Sequence, residues 1–152
     1  MQAMSSKSYY DSPSSKIFMK LFRYIVGVNL KQEEIEMTRP VTTKITEFDE
    51  NSNVDMDMCF WLGTPYQTKE APMPIDKKIY IEDRPEMTVY VRKFGGWAMS
   101  HQDWETEHIE LKNSLEEGVY DTKHWFSIGY DSPMTPGDQR RNEIWIPKVP
   151  QL

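Results

Sequence analysis

Ile17, Phe18, Leu21, Phe22 and Ile25 recur at helical spacing, with Ser15 placed to cap the start and Gly27 just past the end. This pattern predicts a first helix that buries one face. Met37, Val41, Thr43 and Ile45 then alternate, which predicts a strand over 35–48 with Pro40 at an edge or bulge, because proline cannot donate to a ladder. Alternation is cleanest where Val54, Met56, Met58, Phe60 and Leu62 point one way and Asp55, Asp57, Cys59 and Trp61 the other. Pro65, Pro72 and Pro74 impose an extended loop over 63–76. Beyond it, Ile79 and Ile81 alternate briefly, and Met87, Val89 and Val91 are expected to face the core. Ser100 and Asp103 resemble a capping pair ahead of Trp104, His108, Leu111 and Leu115, which predicts a second helix over 101–117. Strands over 124–130 and around Ile144 and Ile146 close the chain.

Residues 15–62 thus read helix, strand, strand, and so do residues 101–147. The repeated order implies a pseudo-two-fold duplication. The first repeat spans 15–62 and the second 78–148. The second is preceded by strands, whereas the first has only a polar, Ser-rich segment at 1–14, read as a mobile lead-in with room for one short strand. The opening strands of the first repeat are therefore expected to be missing. An edge left open in this way invites pairing with a second chain, so a homodimer formed by strand exchange is one expectation.

A chain of 152 residues is long enough to bury a substantial core without disulfides or metals. Its formal charge of −6 argues against a generic nucleic-acid binder, whose affinity comes from displaced counterions. That charge is unevenly spread. Residues 1–44 hold seven Lys/Arg against four Asp/Glu, residues 45–137 eight against eighteen, and residues 138–152 three against two. If the first helix and the C-terminal tail met in the fold, their cations could hold a small anion. One cysteine, Cys59, no apolar run of membrane-spanning length and no signal-like N-terminus lead to the expectation of a cytosolic chain.

Catalytic chemistry finds little support. His101 and His108 lie two helical turns apart, too far to share an ion unaided, and His108 sits on an apolar stripe where a buried, hydrogen-bonded imidazole is the simpler reading. No nucleophile elbow, phosphate loop or zinc motif is present, so neither an enzyme nor a metal site is expected. What stands out is apolar and aromatic: Phe18, Met19, Leu21 and Phe22 beside Lys20 and Arg23. Such a face can hold a flat hydrophobic anion, although packing into the core would use the same residues.

Several strings together resemble the SOUL haem-binding protein family. They are Tyr24-Ile25-Val26-Gly27-Val28-Asn29, Met37-Thr38-Arg39-Pro40-Val41, and Ile81-Glu82-Asp83-Arg84-Pro85-Glu86-Met87-Thr88-Val89-Tyr90-Val91-Arg92. Gly129-Tyr130-Asp131-Ser132-Pro133, followed by Arg140-Arg141-Asn142-Glu143-Ile144-Trp145, looks like the family's C-terminal signature. The Glu-Asp-Arg-x-Glu-Met-Thr-Val string looks closest to the animal haem-binding protein 2 branch. The resemblance implies an α+β fold of two similar halves, a distorted antiparallel barrel or sheet flanked by two helices, and reversible, non-covalent binding of haem or another tetrapyrrole, by an intracellular carrier or buffer without redox chemistry. It implies ring contacts from Phe18 and Phe22 and a propionate-binding cation at Arg23, and Met19 on the same apolar face joins them in the candidate site. A second cationic position falls near Thr135, where threonine replaces the lysine of some members, so that Arg140 would have to help. It also allows an alternative, a protein-interaction module for a mitochondrial or cell-death regulatory partner, through the second helix or the 64–76 loop, with mitochondrial association.

Overall fold

The structure is a computed structural model that describes residues 2–9 as backbone and residues 14–47, 54–132 and 134–150. Seven strands form one antiparallel sheet in the order β4-β1-β3-β2-β6-β7-β5. They span Gln2–Tyr9 (β1), Val41–Glu47 (β2), Val54–Trp61 (β3), Ile79–Asp83 (β4), Val89–Phe94 (β5), His124–Gly129 (β6) and Asn142–Pro147 (β7). Three helices accompany them, α1 (Ser14–Ile25), the short α2 (Pro65–Thr68) and α3 (His101–Asn113).

Apart from β4, the sheet order is a palindrome about the β2–β6 pair, with β1, α1, β2 and β3 on one side and β5, α3, β6 and β7 on the other. α1 packs on β1 and β3, and α3 packs on β5 and β7. The expected duplication is thus built into the sheet. Two cores result. Ile17, Leu21, Tyr24 and Ile25 of α1 pack with Met58 and Phe60 of β3, while Leu111 of α3 packs with Trp125 of β6 and Ile144 and Ile146 of β7.

Three expectations need correction. The 1–14 segment contains β1, which pairs with β3 on one side and β4 on the other. The first repeat therefore has an opening strand, where the second has β4 and β5. Backbone ladders on both sides support it, which explains how a strand forms where the sequence carries little apolar alternation. The strand expected over 35–48 starts only after Pro40 and lies between β3 and β6, an interior position where its missing N–H could not be tolerated. In β5, Tyr90 and Phe94 pack on the second core, whereas Val91, and Met87 ahead of the strand, are exposed. A one-residue shift in register exchanges the two faces of a strand. Residues 10–13 and Phe48 lie outside the described residues.

The sheet face away from α1 and α3 is also covered. Cys59, Thr42, Phe126 and Ile128 are buried there, and the segment joining β4 to β5 brings Arg84 over Trp61 and Phe126 at 5.9 and 6.0 Å. Arg84 donates to Glu82 Oε1 at 2.6 Å and to Thr42 Oγ1 at 3.2 Å. A sheet buried on both faces explains why Trp125 and Phe126, neighbours in β6 that point to opposite faces, are both buried.

Candidate functional site

Helix α1 sets out its side chains by periodicity alone. Ile17, Leu21 and Tyr24 turn inward, while Lys16, Lys20 and Arg23, at i, i+4 and i+7, form one outer stripe with no carboxylate anywhere in the helix. Phe18 and Phe22 stand between these faces. They are half-buried, stack on each other at 6.0 Å and pack against the first core, Phe18 lying 5.2 Å from Phe60. Met19 is half exposed and lines a shallow, open surface cavity of about 370 Å³ with Ser15, Lys16, Lys20 and Arg23, all on the outer side of α1.

A second, narrower cavity of about 170 Å³ continues past the end of α1. Lys20 and Arg23 line it from the helix, and Val28, Ile75 and Asp76 from the loops beyond. These loops are held firmly. Buried Asn29 donates to the carbonyls of Tyr24 and Glu33 and accepts from the amides of Lys31 and Glu33, and Tyr24 donates its hydroxyl to the Pro72 carbonyl at 2.6 Å. Burial pushes the Tyr24 phenol well above its ordinary range, so it stays a neutral donor.

Of the residues read from sequence as a site, the structure brings Met19 and Arg23 together at one cavity, with Phe18 and Phe22 on the same helix. Thr135 and Arg140 form a separate group. Arg140 lies over the Trp97 ring at 4.3 Å and donates to the carbonyls of Ser132 and Thr135, so it braces the loop ahead of β7, and neither cavity beside Arg23 includes either residue. Sequence reasoning missed Ser15, Lys16, Ile75 and Asp76. The seven-residue recurrence of Lys16, Lys20 and Arg23 was the available signal for Lys16. For Ile75 and Asp76, brought in from fifty residues away, no local pattern exists.

Groups able to ligate a metal lie elsewhere. His108 is buried and stacked on Trp125 at 4.4 Å, and burial, with Lys112 and His101 nearby, lowers its pKa to about 4. Glu47 Oε1 stands 3.7 Å from its Nδ1 but already accepts the Trp125 indole N–H at 2.8 Å. His124 is held by Asp121 at 2.8 Å. Cys59 lies on the opposite sheet face, where burial pushes its thiol up to about 11. Among the described residues, no three His, Cys, Asp or Glu side chains form a group that could hold a metal ion.

The description "SOUL heme-binding protein" belongs to the family model that matches residues 1–147 of this chain. The chain belongs to the SOUL family. Heme-binding protein 1 of Xenopus tropicalis is 35% identical over 142 residues, covering 91% of this chain and 73% of that protein. Human heme-binding protein 2 is 34% identical over 143 residues, covering 90% of this chain and 67% of that one. Overall identity thus leaves the two SOUL branches equally near. The fold also resembles the crystal structure of the EcmrR C-terminal domain, with a TM-score of 0.62 at 16% identity over 97% of this chain and 92% of that one.

Proposed function

We propose that this SOUL-family chain binds haem or a related tetrapyrrole non-covalently along the outer side of α1, as an intracellular carrier or buffer. The observation that carries this reading is the cavity walled by Met19 and rimmed by Lys16, Lys20 and Arg23 on a helix without acids. A porphyrin is a flat apolar ring with two propionates. Met19 and the half-buried Phe18 and Phe22 supply apolar and aromatic surface, and Arg23 supplies a bidentate donor for a carboxylate. The residues fit the ring and its anionic edge.

They fit the iron less well. The three histidines all lie in the second half, on α3 and β6, and Cys59 faces away from α1. Bound haem would supply its own porphyrin iron, and the chain's contribution is to hold the ring and neutralise its carboxylates. An open cavity of this size covers part of a ring and leaves the rest in solvent, which suits release as well as capture.

Absorbance titration tests this. Haem is expected to give a saturable Soret shift that Arg23→Glu weakens and Phe22→Asp with Arg23→Glu abolishes. Unchanged affinity in both variants removes the assignment. Because Phe22 also packs on the core, the single charge reversal is the cleaner arm.

A further inference from the structure

Beyond the α1 cavity, the structure carries an apolar ridge with a basic surround. Segments 28–30 and 73–75 run antiparallel about an Asn29–Pro74 bridge, with the Leu30 amide donating to the Met73 carbonyl at 3.0 Å. Alternation turns Asn29 inward, where it is 1% exposed, and turns the flanking residues outward: Val28 is 42% exposed, Leu30 64%, Met73 64% and Ile75 56%. Four large apolar side chains thus stand in water together, on loops that Asn29 and Tyr24 hold in place. Single exposed apolar residues are ordinary, but a cluster marks a contact surface.

The charge around the ridge says what it meets. Lys20 and Arg23 join it through the shared cavity, and Lys31, Lys77 and Lys78 follow directly in sequence from its two segments. Asp76 is the acid in that cavity; its Oδ1 accepts the Lys78 amide at 2.9 Å, and its single charge is outnumbered by the cations around it. Among the described residues, none of these five cations lies within ion-pair distance of a carboxylate; Glu33 is held by Tyr66 and Lys69, which lower its pKa with help from Lys31. A second copy of the chain would bring these cations against their own kind. A partner helix would need a long groove, whereas this surface offers protruding side chains.

We propose that the 28–31 and 73–78 loops dock on an anionic lipid surface, with Val28, Leu30, Met73 and Ile75 entering the acyl boundary and the surrounding cations meeting the headgroups. No helix among the described residues is long and apolar enough to cross a membrane, so this contact is peripheral. It brings the α1 cavity to the bilayer surface, where an apolar ring partitions. The proposal extends the tetrapyrrole reading without depending on it.

Sedimentation of the whole chain with vesicles, in the absence of any tetrapyrrole, tests it. Vesicles of phosphatidylcholine and phosphatidylserine in equal parts are expected to carry the chain down, pure phosphatidylcholine vesicles are not, and added salt should release it. Lys77→Glu with Lys78→Glu, and separately Leu30→Asp with Met73→Asp, should each weaken binding at least tenfold; all four positions are exposed, and circular dichroism checks the fold. Failure of the wild-type chain to sediment with the anionic vesicles overturns the proposal, whether or not an acidic amphipathic peptide binds instead. Equal binding to neutral vesicles, or binding unchanged in both folded variants, overturns it as well.

Discussion

Helices α1 and α3 cover equivalent strands in the two halves of one sheet, yet the charge they carry is opposite. α1 carries Lys16, Lys20 and Arg23 without an acid, whereas α3 carries Asp103, Glu105, Glu107 and Glu110 against Lys112. Their inner faces differ too. Beneath α1 the core is aliphatic and aromatic, while beneath α3 a neutral imidazole stacks on an indole whose N–H is taken by Glu47. The scaffold permits either helix to present a surface, and the side chains decide that only α1 suits an anion.

That contrast can be broken most severely from the α3 side. Trp125→Ala removes a residue 1% exposed, leaves a void and strips Glu47 and His108 of their partner, so a loss of about 3–5 kcal/mol is expected in urea unfolding. Lys20→Glu with Arg23→Glu should weaken haem by about tenfold to a hundredfold, an effect of roughly 1.4–2.8 kcal/mol, while leaving the unfolding midpoint nearly unchanged. Reversing Glu107 on α3 should leave the haem titration where it was.

Acid should discriminate between the halves as well. The folded His108 has its pKa lowered to about 4 from an ordinary 6.5, so its contribution to stability is complete above about 6.5. As the pH falls from there toward 4, the unfolded chain takes up the proton first, and stability should drop by something on the order of 2 kcal/mol. His108→Leu should flatten that part of the stability–pH curve. The smallest effect is local to the α3 terminus. Ser100 accepts from the Asp103 amide there, and Ser100→Ala should cost about 1 kcal/mol, read from the thermal midpoint.

Legibility followed the range of the interactions. The periodicity of α1 and α3, the alternation of β3 and the repeated helix-strand-strand order were readable because each is a local pattern serving one buried face. β1 was barely legible, since two neighbouring strands supply what its sequence lacks, and β5 was placed one residue out of register because both Val91 and Tyr90 suit a strand. In the site, Met19 and Arg23 could be read from one helix. The meeting of that helix with Ile75 and Asp76 could not, because it depends on the Tyr24–Pro72 and Asn29 hydrogen bonds that fold two distant loops together. Arg140 illustrates the reverse case: its charge pointed to a ligand, while in the fold its Nη1 donates to two carbonyls and its guanidinium lies over Trp97.

The most direct test is a two-dimensional amide NMR titration of the whole chain with protoporphyrin, which lacks iron and so leaves the spectrum readable. Saturable shifts centred on Ser15–Val28, with α3 silent, are the predicted result. Shifts centred on α3, or on the Trp97–Arg140 loop with α1 unmoved, would contradict the account.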